Sequence, residues 1–161
     1  MIRPARAGDD AALRALDAAT WAWWVTPGPD RPPGKPFFGA DEAPCDVLVA
    51  EEGGEIVGYV ALGSPTRLES NRHVMGIRGL AVAPDHQGRG LGRALIEAAV
   101  AEARERGARR LRLRVLGANT GARALYESCG FVVEGVLRDE FLLDGRYVDD
   151  VLMALPLTTP P

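Results

Sequence analysis

A glycine-rich turn carries the clearest chemistry in the sequence. Glycine recurs at alternate positions, Gly88, Gly90 and Gly92, between an apolar stretch and a stretch with helical spacing. Glycines in such a turn let backbone N–H groups converge on an anion, and the helix dipole adds to the attraction. Arg89 and Arg93 add positive charge. The turn predicts a pyrophosphate site, and a strand-to-helix turn with solvated arginines is the simpler alternative.

Two common nucleotide motifs do not fit this turn. A P-loop requires a Lys and a hydroxyl residue directly after its last glycine, and neither follows here. A dinucleotide fingerprint requires G-x-G-x-x-G directly after the strand and an acid about 20 residues later. Five residues separate Val82 from Gly88, and the next strand ends at Leu116 and Gly117 without an acid.

A second constellation follows at residues 119–131, with the sequence Asn-Thr-Gly-Ala-Arg-Ala-Leu-Tyr-Glu-Ser-Cys-Gly-Phe. Asn119 is a typical N-cap residue, and Gly130 is a typical helix terminator. Tyr126 lies seven residues after Asn119, about two helical turns, so the two side chains share a face.

Together the two segments resemble the GNAT superfamily of N-acetyltransferases. Residues 87–92, Gln-Gly-Arg-Gly-Leu-Gly, match the acyl-CoA pyrophosphate signature R/Q-x-x-G-x-G/A, and residues 119–131 match the helix N-x-x-A-x-x-L-Y-E-x-x-G-F. The resemblance covers about residues 47–131, and more loosely the first strand and helix and the final hairpin. Residues 138–150 are similar to the branch that includes ribosomal-protein N-terminal and small-amine acetyltransferases.

The resemblance implies acetyl-CoA as co-substrate and no metal. The backbone around Leu80 would pair with the pantetheine arm, and the Leu80 N–H would polarise the thioester carbonyl. Asn119 is either a helix cap alone or also a contact of the cofactor arm. The implied cofactor-binding residues are Leu80, Ala81, Val82, Gln87, Gly88, Arg89, Gly90, Leu91, Gly92, Arg93, Asn119, Arg123 and Tyr126.

The resemblance also implies that Tyr126 is the general acid that protonates the departing CoA thiolate. A buried structural tyrosine is the alternative. The general base cannot be transferred, because the two positions where family members carry Glu are Gly76 and Arg114 here. The remaining candidates are Glu69, His73, Asp139, Glu140 and a chain of water molecules.

Residues outside the motif core are expected to bind the acceptor. The aromatic candidates are Trp21, Trp23, Trp24, Phe37, Phe38 and Tyr147, and the Pro/Gly-rich loop at residues 27–44 is a candidate lid. An acidic, aromatic-lined cleft at the final hairpin would attract an ammonium group. A solvated hairpin, with the tryptophans in the core or at a dimer interface, is the alternative.

The positioning elements follow from hydrophobic periodicity and turn signals. Strands are predicted near residues 2–5, 47–51, 56–62, 73–82, 110–115, 131–143 and 147–155, and helices near residues 10–19, 90–106 and 120–128. The order predicts an α/β domain with a mixed sheet. The resemblance implies the GNAT fold, a mostly antiparallel central sheet of about seven strands flanked by helices, with a splayed pair of strands that binds acyl-CoA.

Composition favours one soluble domain over residues 1–161, with 17.2 kDa, a net charge of −3 and a pI near 5.4. The acidic pI argues against nucleic-acid binding. Residues 78–123 hold ten Arg and four acids, net +6, so the rest of the chain carries −9. Cys45 and Cys129 fit a reducing compartment, and without a leader or membrane span we expect a cytoplasmic protein. The resemblance makes a homodimer plausible.

These observations predict an N-acetyltransferase of the EC 2.3.1 type. The acetyl group would move from acetyl-CoA to a primary amine of a small molecule, peptide or protein N-terminus. Attack would be direct, through a tetrahedral intermediate and without an acyl-cysteine. The missing Glu positions sustain an alternative, a non-catalytic module of the same fold that binds or senses acyl-CoA.

Overall fold

The computed structural model describes residues 1–39 and 43–157 of the chain. Residues 40–42 of the predicted loop, and the last four residues, lie outside the described part. The strands are β1 (Ile2–Pro4), β2 (Val47–Glu52), β3 (Glu55–Gly63), β4 (Val74–Val82), β5 (Arg110–Leu116), β6 (Val132–Leu143) and β7 (Arg146–Pro156). The helices are α1 (Asp10–Thr20), α2 (Leu91–Glu105) and α3 (Thr120–Ser128). Their order is the predicted one.

One seven-stranded sheet runs through the molecule in the order β1-β2-β3-β4-β5-β7-β6. Every neighbouring pair is antiparallel except β4 and β5, which are parallel. The connection between these two contains α2, as a parallel crossover requires. The predicted mixed, mostly antiparallel sheet with flanking helices is confirmed.

The sheet carries a separate core on each face. Alternation along β2 shows the division, because Val47 and Val49 pack in one core while Leu48 and Ala50 pack in the other. The larger core lies under α2 and includes its four buried side chains, Leu95, Ile96, Ala99 and Ala103. The smaller core lies under α1 and includes Leu13, Leu16, Phe37, Tyr59 and Ala61.

Two aspartates of α1 anchor the Pro-rich segment. The Asp10 carboxylate accepts hydrogen bonds from the backbone N–H groups of Phe37 and Phe38, at 2.9 and 3.0 Å. The Asp17 carboxylate accepts one from the Arg31 side chain at 3.1 Å. The described part of the segment therefore lies fixed on α1, and its role as a lid stays a prediction.

An ion pair joins β5 to β7 on the face opposite the larger core. The carboxylate of Asp150, 2% exposed, is the one buried charged group of the described chain. It accepts a hydrogen bond from Arg114 Nε at 2.6 Å, and the Arg114 side chain is 58% exposed. A buried carboxylate that loses its partner retains its desolvation penalty, so the pair constrains the sequence of both strands.

Arg114→Ala should therefore destabilise the fold. Because Arg114 is partly exposed and solvent weakens the pair, we expect a loss of about 1–3 kcal/mol rather than the value of a fully buried pair. Calorimetry should show a melting temperature lower by about 2–4 °C for each kcal/mol. Arg112→Ala is the matched control, since Arg112 is an exposed residue of the same strand for which no ion pair occurs among the described residues. Equal melting temperatures for the two variants would contradict the assignment.

Candidate active site

The sheet opens between β4 and β5. The two strands pair only at Val74–Arg110, Met75–Leu111 and Gly76–Arg112. β4 continues to Val82 and β5 to Leu116, yet over their described length no further pair forms between them. We call the gap between residues 77–82 and residues 113–116 the slot. Its walls are strand backbones whose N–H and C=O groups can bind an extended ligand as a strand would.

A β-bulge sets the direction of the backbone groups on β4. Gly79 pairs with Ala61 and Ile77 with Leu62, which leaves Arg78 as an extra residue in β4. Just beyond β4, the Ala83 N–H donates to the Val57 carbonyl at 2.8 Å.

Backbone N–H and C=O groups alternate in direction along a strand. Counted from the Ala83 bond, this alternation shows which way the groups of Leu80 and Val82 point. Residues two apart on an antiparallel strand face the same side, so the backbone of Ala81 faces β3 while that of Leu80 and Val82 faces the slot. The Val82 carbonyl accepts a hydrogen bond from Gln87 Nε2 at 3.0 Å. The Leu80 N–H therefore faces the slot, and its contact with a thioester carbonyl stays a prediction.

The glycine-rich turn stands at the head of the slot. Gly88 and Gly90 have φ of +74° and +83°, a conformation that strains other residues, and no atom lies within 4 Å of a Cβ built on either. The first backbone bond of α2 runs from the Ala94 N–H to the Gly90 carbonyl at 3.0 Å. The N–H groups of residues 91–93 precede it and have no helical acceptor. The turn thus presents open space and free donors to an anion.

Gly92 and Arg93 serve the packing of α3 against α2. A Cβ at Gly92 would lie 2.9 Å from Leu125 Cδ2, so the small residue allows the two helices to approach closely. The Arg93 guanidinium donates to Ser128 Oγ at 2.9 Å and to the Ser128 carbonyl at 3.3 Å. Arg89 is exposed, and no hydrogen bond of its guanidinium occurs within the described chain.

Tyr126 lies on α3 with its side chain in the larger core, 7% exposed. Its ring meets Phe131 edge to face, with the ring centroids 5.7 Å apart. Within the described chain the phenol makes no hydrogen bond. Burial, and to a smaller extent the nearby Cys129 thiol, raises the pKa of Tyr126, so the phenol keeps its proton well into the alkaline range.

Asn119 and Arg123, at the start of α3, make different contacts. Asn119 Oδ1 accepts a hydrogen bond from the Ala122 N–H at 3.2 Å, which is an N-cap interaction. Its amide nitrogen makes no hydrogen bond in the described structure. Arg123 donates to Glu127 Oε1 at 3.1 Å and lines a cavity beside the final hairpin, away from the glycine-rich turn.

The structure does not bring the four candidate bases to the slot. Glu69 forms an exposed ion pair with Arg72 before β4 begins. His73 lies at the paired end of β4, and seven strand residues place it roughly 20 Å from Leu80. Asp139 and Glu140 lie on β6, which β7 separates from β5.

The aromatic residues predicted to bind the acceptor differ in their exposure. Phe37 is 2% exposed and packs edge to face on Tyr59 in the smaller core, so its ring is not available to a ligand. The side chains of Trp21, Trp24 and Tyr147 are 41, 48 and 69% exposed. Phe38 is half-buried against the same core.

A cavity of about 450 Å³ lies between the end of β5, the start of α3 and the final hairpin, and we call it the hairpin cavity. Its lining combines aromatic, aliphatic and charged residues. They are Trp23, Gly117, Ala118, Arg123, Val136, Arg138, Arg146, Tyr147, Val148, Asp149 and Val151.

Sequence reasoning missed the buried ion pair of Asp150, although Asp150 lies on one face of β7 with Val148 and Leu152. The ring of Trp23, one of the predicted acceptor tryptophans, lies 5.9 Å from the Arg146 guanidinium. Among the described residues no group of three or more His, Cys, Asp or Glu could hold a metal, and no helix there is long and apolar enough to cross a bilayer.

Known proteins share this architecture. A family model described as Acetyltransferase (GNAT) family matches residues 13–131. The L-amino acid N-acyltransferase MnaT of Escherichia coli K12 is 35% identical over 111 residues, 69% of this chain and 64% of that protein. The [ribosomal protein bS18]-alanine N-acetyltransferase of the same organism is 45% identical over 80 residues, 49% of this chain and 53% of that protein.

A solved structure extends the likeness to the whole chain. The Salmonella typhimurium protein yncA, solved with its cofactor acetyl-CoA, superposes with a TM-score of 0.82 and 25% identity. The superposition covers 100% of this chain and 95% of that one. By contrast, the matches span 64% of the length of MnaT and 53% of the length of the [ribosomal protein bS18]-alanine N-acetyltransferase.

Proposed function

The chain belongs to the GNAT acetyltransferase family, and from this we propose that it transfers an acetyl group from acetyl-CoA to a primary amine. The observation that carries the proposal is the slot, because an open strand edge beside an anion-binding turn suits a ligand with a peptide-like arm and a pyrophosphate. The pantetheine arm of CoA contains two amides, and its diphosphate carries negative charge.

We assign the donor to the slot and the turn. The backbone groups of Leu80 and Val82 would pair with the pantetheine amides, and Gln87 would release the Val82 carbonyl as the arm enters. The free N–H groups of residues 88–93 would hold the pyrophosphate, with Arg89 as its nearest uncommitted cation. Arg93 would support the site by fixing α3 rather than by contacting phosphate.

The chemistry needs a neutral amine, an oxyanion donor and a proton for the leaving thiolate. The amine nitrogen would form a bond to the thioester carbon while the Leu80 N–H stabilises the developing oxyanion. Collapse would break the C–S bond, and Tyr126 would give its proton to the sulfur. The amine proton would leave through water, because the candidate carboxylates and His73 lie away from the slot.

The acceptor is proposed from chemistry shared by the relatives. Their names describe action on L-amino acids and on the alanine of a ribosomal protein, and both acceptors present a primary α-amine. We propose a primary amine of this kind for the present chain. Cytoplasmic location and a homodimer remain predictions.

The direct test measures release of the free CoA thiol from acetyl-CoA with a panel of amino acids, small amines and peptides. We expect turnover with at least one primary amine. If acetyl-CoA raises the melting temperature and no acceptor releases the thiol, the acyl-CoA-sensing alternative replaces the proposal.

Gly90→Ala should weaken acetyl-CoA binding. A non-glycine residue at positive φ costs about 1–2 kcal/mol, and relief of that strain would turn the N–H groups away from the anion. We expect calorimetric titration to show about tenfold weaker binding. Gly107→Ala is the matched control, since Gly107 has φ of +79° and similar open space at the opposite end of α2. Equal losses of affinity in both variants would contradict the assignment of the turn.

Tyr126→Phe should lower kcat by about 100-fold, because the thiolate would leave without its proton. Acetyl-CoA affinity should stay within about twofold, since the ring and its packing on Phe131 are kept. The raised pKa means that the wild-type phenol does not ionise as pH rises towards 10. Rate measurements from pH 7 to 10 should therefore give parallel profiles for the two proteins. A variant with unchanged kcat would remove Tyr126 from the mechanism.

A further inference from the structure

The hairpin cavity is separate from the proposed donor site. No residue of β4 or of the glycine-rich turn lines it. It borders the slot through Gly117 and Ala118, which directly follow β5, and through Arg123 in the first turn of α3. A ligand in the cavity can therefore present an atom to the slot without displacing the donor.

The charges of the cavity are not balanced. Arg123 is paired with Glu127, and Arg138 donates to Asp149 Oδ2 at 3.0 Å. Arg146 differs, because within the described chain no carboxylate partners it. Its guanidinium carbon lies 5.9 Å from the centre of the Trp23 ring, a cation–π contact that holds it at the cavity wall. The cavity thus contains one guanidinium that lacks an anion.

The remaining lining fits a small aliphatic group. The exposed Tyr147 and the half-buried Val136 provide an apolar surface, whereas Val148 and Val151 are 6 and 1% exposed, and about 450 Å³ is within the usual range for small-molecule pockets. A guanidinium binds a carboxylate through two parallel hydrogen bonds, so Arg146 is suited to a planar anion.

Resting on the proposed function, we propose that Arg146 binds a carboxylate of the acceptor, so that the preferred acceptor is a free amino acid with an aliphatic side chain. The carboxylate lies on Arg146, the side chain lies on Val136 and Tyr147, and the α-amine faces the slot. A peptide or protein N-terminus has an amide in place of that carboxylate and leaves Arg146 without its anion.

The test compares acceptors that share side chain and primary amine but differ at the carboxylate, with each rate expressed per neutral amine because loss of the carboxylate lowers the pKa of the amine. L-leucine, L-leucinamide and a dipeptide that begins with leucine carry the same side chain next to a primary amine. With the wild type we expect kcat/KM for leucine to exceed that for either of the others by about 10- to 100-fold. Arg146→Gln should remove about the same factor for leucine and leave the rate with leucinamide almost unchanged. Arg146→Lys should restore part of the preference, because the charge returns without the planar fork.

The controls separate this inference from the proposed function. Arg109→Gln, a change of an exposed arginine outside the cavity, should leave all three rates unchanged. The leucinamide rate of Arg146→Gln reports that the variant is folded. Equal wild-type rates for the three acceptors, a preference for the dipeptide, or an equal fall for leucine and leucinamide in Arg146→Gln would overturn the assignment. Absence of thiol release with every acceptor would instead contradict the proposed acetyl transfer.

Discussion

The short pairing of β4 with β5 is the constraint on which the rest of the structure depends. Three paired residues at one end hold the strands together, and their separation leaves backbone donors and acceptors unpaired within the sheet. Such groups are costly unless a partner or water satisfies them. The chain satisfies one of them itself, since Gln87 donates to the Val82 carbonyl. The others are the strongest reason to expect a strand-like ligand in the slot.

Three packing arrangements position the walls of the slot. On one side β5 pairs with β7 along all seven of its residues, and the buried Asp150 adds an ion pair to Arg114 across that boundary. On the other side the bulge at Arg78 directs the β4 backbone towards the gap. α3 is fixed against α2 through the close approach at Gly92. The opening is therefore a property of the packed sheet and does not require a mobile segment.

The sequence is sufficient for the elements and the motif-bearing turn, because both follow from local rules. Glycine at positive φ, an N-cap at Asn119 and alternation along each strand act over a few residues. The sequence is insufficient where partners are distant along the chain. Arg114 and Asp150 are 36 residues apart, and only the register of β5 on β7 brings them together. Phe37 was equally unpredictable as a core residue, because its burial depends on the Asp10 anchor 27 residues earlier.

The sequence is likewise insufficient to predict which arginines are engaged in contacts within the fold. The positive segment at residues 78–123 suggests that its arginines surround the phosphates, yet Arg93 bonds to Ser128 and Arg123 to Glu127. Much of the formal positive charge of this segment is therefore engaged in local contacts within the fold. Arg89 at the glycine-rich turn and Arg146 in the hairpin cavity make no side-chain hydrogen bond or ion pair in the described chain, and they lie on separate elements. Two separate cations allow a polyanionic donor and a carboxylate-bearing acceptor to bind together without competing for one site. At these two sites the unpaired charge, rather than the total charge of the chain, therefore supports the proposed place of each substrate.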